Sequence, residues 1–294
     1  MKKLYNPIDI YYCLKPIKYN QISLEEQQKV FKELIESNTP FFAGRLGMTE
    51  TRMMRDLVFN YKDSYDASLD QLCRWSGFFP HDVSLLPRFK ELEIEALGNV
   101  DFLLRLRGKG ENYLVKKYCR KDVVFANALG GYGNAYPWTY ALKGKKVLVI
   151  HPFADTIQKQ YAKREYLFPH DPDILPEFEL KTIKAVQTIA GQSDERFATW
   201  FDALDYMKSE IDRTDFDIAL IACGAYGFAL ASYCKNIGKS AVHVGGDLQM
   251  LFGIMGKRWE ELEVPKKLVN EYWVRPSEEE TPKNSGVVED ACYW

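Results

Sequence analysis

The fold of this chain is decided by residues 215–249, which read DFDIALIACGAYGFALASYCKNIGKSAVHVGGDLQ. Two apolar, strand-like runs flank a glycine-containing turn and an apolar helix, and this order predicts a βαβ unit of a parallel sheet. Such sheets bind ligands beyond the carboxyl ends of their strands, so we look for function in the loops after the strands. The predicted elements are a strand over 218–222, a turn over 223–227, a helix over 228–236 and a strand over 240–244, followed by Gly245, Gly246 and Asp247.

The remainder of the chain repeats this alternation of apolar runs and amphipathic segments. We therefore expect an α/β fold: a Rossmann-like, mostly parallel sheet flanked by helices, with a helical insertion at about 61–97. We place one domain over 1–274 and a polar tail over 275–294, whose aromatic end we expect to dock. Further strands are predicted at 41–44, 99–106, 123–128, 146–150 and 180–189, and helices at 23–38, 49–60, 155–166 (capped by Asp155), 197–211 and 248–259.

The composition is that of an ordinary globular protein, with 46% hydrophobic and 27% charged residues. Because 39 basic side chains face 41 acidic ones, we expect no nucleic-acid partner, which would favour a basic excess. The apolar, uncharged run 218–234 is shorter than the ~20 residues that span a bilayer, so we expect no transmembrane span. The six cysteines form no CxxC pair, and Pro7 interrupts any signal peptide, so we expect a cytoplasmic protein with reduced thiols.

Four loops follow predicted strands, at 44–50, 150–156, 222–227 and 245–249, and in a parallel sheet all four open on the same edge. His151 is a candidate general base or phosphate contact, although a lone histidine also serves structural roles. Asp247 is a candidate base, ribose ligand or metal ligand. Its alternative role is to cap the helix that we predict from residue 248.

The glycine turn offers Gly224, Tyr226 and Gly227 as a candidate phosphate cradle, because backbone N–H groups at a helix start attract anions. The turn lacks the third glycine of a dinucleotide fingerprint, and glycines needed only for a tight turn explain it equally well. The aromatic residues Trp75 and Phe78 belong to a loop that either stacks on a sugar or plugs the space between helices.

Arg45 and Glu50 flank the turn after the predicted strand at 41–44. An arginine there can neutralise a diphosphate, and a carboxylate on the next helical turn can hold a divalent cation. The alternative is a salt bridge between the two side chains at the helix N-terminus.

The stretch GRLGMTE (44–50) resembles the Arg-Phe-Gly-Asp-Gly-Glu signature of the GT-D-type glycosyltransferases of bacterial surface-glycan synthesis. Residues 219–247 are similar to that family's closing βαβ unit, and the resemblance spans most of 41–253 through short motifs. It implies that Arg45, Gly47 and Glu50 contact the diphosphate of a nucleotide sugar, with Gly245 and Gly246 beside the donor. It also implies Mn²⁺ or Mg²⁺ at Glu50.

One residue departs from the signature, because Met48 stands where the family has its aspartate and a thioether is a poor ligand for a hard cation. Either Glu50 shares the ion with another residue such as Asp247, or transfer is metal-independent, or activity is lost.

We therefore expect a glycosyltransferase that moves a sugar from a nucleotide-sugar donor to a glycan or lipid-linked acceptor in surface polysaccharide synthesis, in the cytoplasm or at the inner membrane face. The alternatives are another Rossmann-type, NAD(P)-dependent enzyme and a non-catalytic scaffold.

Overall fold

The computed structural model describes residues 20–127, 129–130, 137–260, 262–288 and 290–294. The N-terminal residues on which the signal-peptide expectation rests lie outside these ranges. In the described part, the strands form one sheet in which every pairing is parallel. The expected Rossmann-like α/β class is thereby confirmed. The strands are β1 Asn20–Gln21, β2 Phe42–Gly44, β3 Phe102–Leu104, β4 Val124–Ala126, β5 Lys146–His151, β6 Glu179–Lys184, β7 Ile218–Ile221 and β8 Ser240–His243.

Helices connect these strands and cover both faces of the sheet. The first of them begins as predicted, with the hydroxyl of Ser23 accepting the backbone N–H of Glu26 at 3.1 Å. None of the helices in the described ranges has the length and hydrophobicity that crossing a membrane requires. The helices are α1 Leu24–Glu36, α2 Met48–Val58, α3 Tyr65–Ser76, α4 Leu86–Asn99, α5 Glu111–Tyr118, α6 Ala154–Tyr161, α7 Arg164–Leu167, α8 Trp200–Asp212, α9 Tyr226–Asn236, α10 Leu248–Leu251 and α11 Glu263–Leu268.

The sheet is buried on both faces, which explains why its inner strands are continuously apolar. In β5, Val147 and Val149 pack into one hydrophobic layer, while Leu148 and Ile150 pack into the other. One layer joins the sheet to α2, α3, α4, α8 and α9, and the second joins it to α1 and α6. The strand interior therefore carries no chemistry, and polar groups are left to the strand ends.

The strand order β1-β4-β3-β2-β8-β7-β5-β6 places the functional edge. The connections from β2 to β3 and from β7 to β8 run toward the edge of the sheet formed by β1, whereas the connection from β5 to β6 runs toward the opposite edge. The connections after β7 and β5 thus diverge, and this divergence opens a crevice at the carboxyl ends of the central strands. The strand ends of β2, β8, β7 and β5 are neighbours along that crevice.

The start of α6 is capped by a residue that differs from our prediction. Asp155 lies inside the first turn and pairs with Lys184 at 2.7 Å, so it is not the cap. The buried carboxylate of Glu280 instead accepts the backbone N–H groups of Asp155 and Thr156 at 3.0 and 3.2 Å. The capping group therefore comes from the C-terminal segment, which the helix N-terminus attracts through its unpaired N–H groups.

The predicted helix over 248–259 is also shorter than expected. It ends as α10 at Leu251, and Gly253 follows with a φ of 63°. A left-handed glycine terminates a helix by turning the chain away from its axis. The C-terminal aromatic residues dock as predicted, with Trp294 against Phe153 at a ring-centroid distance of 6.3 Å.

Candidate functional site

A cavity of ≈ 910 Å³ opens at the carboxyl ends of β2, β8, β7 and β5. The loops after all four strands contribute to its wall, which confirms the expectation that they meet at one edge of the sheet. Arg45, near the start of the chain, and Gly224, near its end, line the same hollow. The wall residues from these loops are Arg45, Gly47, Met48, Thr49, Glu50, His151, Pro152, Phe153, Ala222, Cys223, Gly224, Ala225, Gly245 and Gly246.

Arg45 is a cation of this wall. Its side chain is half-buried, yet its guanidinium has no hydrogen-bond acceptor and no carboxylate partner among the described residues. The described residues form no salt bridge between Arg45 and Glu50, which was the alternative that the sequence allowed. The guanidinium lies against Gly245, where an added Cβ would come within 2.1 Å of Nη2. An arginine fork with unused donors beside a cavity is suited to an anion.

His243 supports Arg45 from the end of β8. Its Nδ1 lies 3.1 Å from the carbonyl oxygen of Arg45, and because a carbonyl only accepts, Nδ1 donates and Nε2 carries no proton. Burial, with the Arg45 guanidinium as a second cause, lowers the pKa of His243 to about 3. The ring packs on Gly227, where a Cβ would come within 2.3 Å of Nε2. His243 is therefore a neutral side chain that fixes the Arg45 backbone.

His151, at the end of β5, has the opposite tautomer. Its Nδ1 accepts the backbone N–H of Phe153 at 2.9 Å, so the proton of the neutral ring is on Nε2. Burial lowers the pKa of His151 to about 3. The sequence offered His151 as a general base or phosphate contact, and this hydrogen bond favours the second role. A neutral Nε2–H on the cavity wall is a hydrogen-bond donor, which suits an anionic oxygen.

Glu50 is the only Asp or Glu side chain that lines the cavity in the described ranges. It lies in the first turn of α2, where the helix dipole favours a negative charge. Thr49 Oγ1 donates to Glu50 Oε2 at 2.9 Å, and the carboxylate folds back over Gly47, within 1.9 Å of the position that a Cβ would take. Glu50 thus presents a buried, oriented carboxylate to the cavity.

Glu93 is a neighbour of Glu50 that the sequence did not reveal. It lies in α4, is fully buried, and both of its carboxyl oxygens have no hydrogen-bond partner among the described residues. Burial raises its pKa well above the usual range, and the nearby charge of Glu50 adds to the rise. Burial and the neighbouring carboxylate therefore both favour the protonated form of Glu93. The sequence ELEIE (91–95) does not distinguish Glu93 from the glutamates beside it, because the sequence of α4 alone does not show which of its faces is buried.

Three predicted site features find other roles. Asp247 does not line the cavity; its Oδ1 accepts the indole N–H of Trp259 at 3.1 Å. Tyr226 is buried in the core, with its ring stacked on Trp200 at 4.8 Å. The backbone N–H of Ala225, in the glycine turn, donates to the carbonyl oxygen of Ser76 at 2.9 Å.

Gly224 shows why this turn needs a glycine. An added Cβ would come within 2.5 Å of Ser76 O, and the residue has a φ of 58°. The close approach of α3 therefore already explains the glycine, and it occupies part of the predicted phosphate cradle. Gly224 still lines the cavity, whereas Gly227 serves the His243 ring.

The residues fit a divalent cation poorly. Met48 offers only a thioether and is 55% exposed, and Asp247 is turned away from the cavity. The described ranges contain no group of three or more His, Cys, Asp or Glu side chains arranged to hold a metal ion. Glu50 is thus the single carboxylate that the described part of the wall offers to Mg²⁺ or Mn²⁺.

Further basic side chains line the cavity that the sequence interpretation did not assign to it. Arg52 and Arg55 come from α2, and Lys109 comes from the loop after β3. Arg258 also lines it, and its Nη1 donates to the hydroxyl of Tyr293 at 3.1 Å. The cavity is therefore strongly cationic, although the whole chain has a formal net charge of -2.

The aromatic loop splits between the two roles that the sequence left open. Trp75 is 40% exposed and lines the cavity. Phe78 is buried between Phe89 and Trp200 and acts as the plug. Trp75 alone remains available for stacking.

Comparison with known proteins does not indicate a function for this chain. The chain was compared with protein-family models, with curated proteins and with solved structures. None of the three comparisons finds a match.

Proposed function

We propose that this protein is a glycosyltransferase that moves a sugar from a nucleotide-diphosphate donor to a glycan or lipid-linked acceptor of surface polysaccharide synthesis. The observation that carries the proposal is the unpaired, half-buried guanidinium of Arg45 on a cavity large enough for such a donor. The position of Arg45 after the first central strand agrees with the family signature that the sequence resembles.

Transfer breaks the bond between the anomeric carbon and the diphosphate oxygen, and the bonding electron pair leaves with the diphosphate. The barrier is therefore lowered by groups that stabilise the developing negative charge. Arg45 supplies a positive charge with several donors, and His151 supplies a neutral Nε2–H. Before the substrate arrives, His243 holds the backbone of Arg45, and the backbone N–H of Phe153 orients the ring of His151.

The acceptor hydroxyl forms the new bond to the anomeric carbon and must lose its proton. We assign Glu50 as the general base that accepts this proton. Asp247 is turned away from the cavity, and the neutral His151 ring already carries its proton on Nε2. Thr49 orients the Glu50 carboxylate without neutralising it. A divalent cation held by Glu50 and the diphosphate would add further charge stabilisation, but the wall does not require one, because it is already cationic.

An NAD(P)-dependent enzyme is less well supported by the geometry. A dinucleotide pyrophosphate needs a free helix N-terminus after a glycine turn. At the start of α9, the carbonyl oxygen of Ser76 lies against this position and accepts the backbone N–H of Ala225.

Nucleotide titration of the purified chain tests the proposal. We expect a nucleoside diphosphate, UDP or GDP, and its sugar conjugate to bind, and NADPH not to bind. Arg45→Gln should weaken binding at least tenfold, since a hydrogen bond to a charged group contributes about 1.5–3 kcal/mol. Because no described residue pairs with the guanidinium, the variant should fold normally.

Lys29→Gln is the matched control, since Lys29 is an exposed α1 side chain and its loss changes the net charge equally. The donor that binds is then tested for sugar transfer and for slow hydrolysis by wild type and by Glu50→Gln. Equal nucleotide affinity in Arg45→Gln and wild type, or full activity of Glu50→Gln, would remove the basis of the site assignment.

A further inference from the structure

The cavity has a second cationic region away from Arg45, which we call the distal cation cluster and which consists of Arg52, Arg55 and Lys109. Arg52 and Arg55 project from the same side of α2, being three residues apart. The loop that carries Lys109 packs on Arg55, since an added Cβ at Gly110 would come within 2.7 Å of Arg55 Cγ. The three cations therefore line one part of the cavity wall.

The charge of this cluster is only partly balanced. Arg55 pairs with the buried carboxylate of Asp56 at 2.6 Å. Arg52 donates only to neutral oxygens, Ser68 Oγ at 3.2 Å and Gln71 Oε1. Lys109 has no carboxylate partner in the described ranges. Hydrogen bonds to neutral groups orient Arg52 without neutralising it, so the cluster keeps an excess of positive charge at the cavity wall.

The distance from Arg45 makes this a separate anion position. Helical rise places Arg52 and Arg55 roughly 8–12 Å beyond Gly47 along the axis of α2. The two arginines thus lie roughly one and a half to two helical turns beyond the turn that carries Arg45. The exposed side chains of Met48 and Trp75 line the same cavity and present apolar surface of the kind that packs against a sugar ring.

From this arrangement we infer that the distal cation cluster binds an anionic group of the acceptor, a phosphate or a carboxylate, while the sugar to be extended lies over Trp75. This inference rests on the proposed function, because it assigns the diphosphate to Arg45. It specifies an acidic acceptor, whose charged group is either the phosphate of a lipid carrier or the carboxylate of an acidic sugar. A neutral glycan would leave Arg52 and Lys109 without a counter-charge.

Direct binding of two anionic probes tests the inference without donor or turnover. The probes are farnesyl monophosphate and a disaccharide ending in glucuronate, each compared with its uncharged analogue, farnesol or the glucose-terminated disaccharide. We expect one charged probe to bind at least tenfold more tightly than its analogue, and Arg52→Gln to remove that preference. The probe that binds identifies the source of the charge.

Arg45→Gln and Lys29→Gln are the controls, and both should leave charged-probe binding within twofold of wild type. Equal binding of the charged and uncharged forms overturns the inference, as does an unchanged affinity in Arg52→Gln. An equal loss in Arg45→Gln and Arg52→Gln also overturns it, since one ligand would then span both regions. NADPH is titrated alongside the probes, because a dinucleotide is a ligand of that kind. Charged-probe binding that depends on Arg52, in a protein that binds no nucleoside diphosphate, would refute the proposed function and leave the second anion site standing.

Discussion

The guanidinium of Arg45 lies on the bare backbone of Gly245, so that a Cβ at position 245 would sit within 2.1 Å of Nη2 and 2.4 Å of Cζ. The two residues follow adjacent parallel strands, β2 and β8, and the absence of a side chain at one sets the position of the other. No described residue accepts a hydrogen bond from the guanidinium. The relationship therefore controls where the cavity presents this positive charge.

Gly245→Ala should displace Arg45 and weaken nucleoside-diphosphate binding about tenfold, the effect of losing one charged hydrogen bond. It should also destabilise the fold by about 1–2 kcal/mol, because Gly245 has a φ of 74°. Gly238→Ala is the matched control, with a φ of 79° and open space around the added Cβ. Denaturant unfolding should show similar losses for both variants, and only Gly245→Ala should lose affinity. Equal affinities would mean that Arg45 adapts to the new methyl group.

Glu93→Gln should change how stability depends on pH. A buried carboxyl with a raised pKa contributes stability that is complete below the unfolded-state pKa and is lost as pH rises toward the folded-state value. The variant should therefore gain on wild type by about 1.4 kcal/mol per pH unit above ~4.5. Urea unfolding at several pH values measures this gain.

Glu91→Gln serves as the control for that series, because Glu91 is an exposed glutamate on the same helix. A constant difference between Glu93→Gln and wild type across the pH range would show that Glu93 titrates alike in the folded and unfolded states.

His151 and His243 should make the protein sensitive to acid. Burial lowers the pKa of each to about 3, below the unfolded value of 6.5, so their contribution is present above pH 6.5 and is lost as pH falls toward 3. Each histidine should account for about 1.4 kcal/mol per pH unit in that window. His151→Gln and His243→Gln should each flatten the decline by this amount in unfolding experiments, whereas His81→Gln, at an exposed histidine, should not. Parallel declines for all four proteins would contradict the buried, neutral state.

Glu280→Ala should detach the C-terminal segment from α6. The carboxylate accepts two backbone N–H groups and the hydroxyl of Thr156, so its loss leaves helix N-terminal donors unpaired and should cost about 2–3 kcal/mol. The exposed neighbour Glu279→Ala is the control. Thermal unfolding gives the stability loss, and Trp294 fluorescence should report undocking, since its indole donates to the Glu280 carbonyl. An unchanged spectrum would show that ring packing alone holds the segment.

Local sequence predicted the elements that depend on neighbouring residues. The apolar run at 218–222, the glycine turn and the Ser23 cap were correctly located because strand burial, turns and caps are short-range effects. The same reasoning missed Glu280 as the cap of α6, since the partner lies more than a hundred residues away.

What the sequence by itself determined is the parallel α/β sheet and the convergence of its loops, because the alternation of apolar strands and helices permits few other arrangements. Arg45 and Glu50 were found as candidates because they directly follow a strand. Only the tertiary structure decided that Asp247 accepts a hydrogen bond from Trp259 and that Glu93 lies buried beside Glu50. It also decided that the proton of the neutral ring is on Nε2 in His151 but on Nδ1 in His243. Those properties depend on which distant backbone group or side chain each residue meets, and the order of residues along one element does not specify that partner.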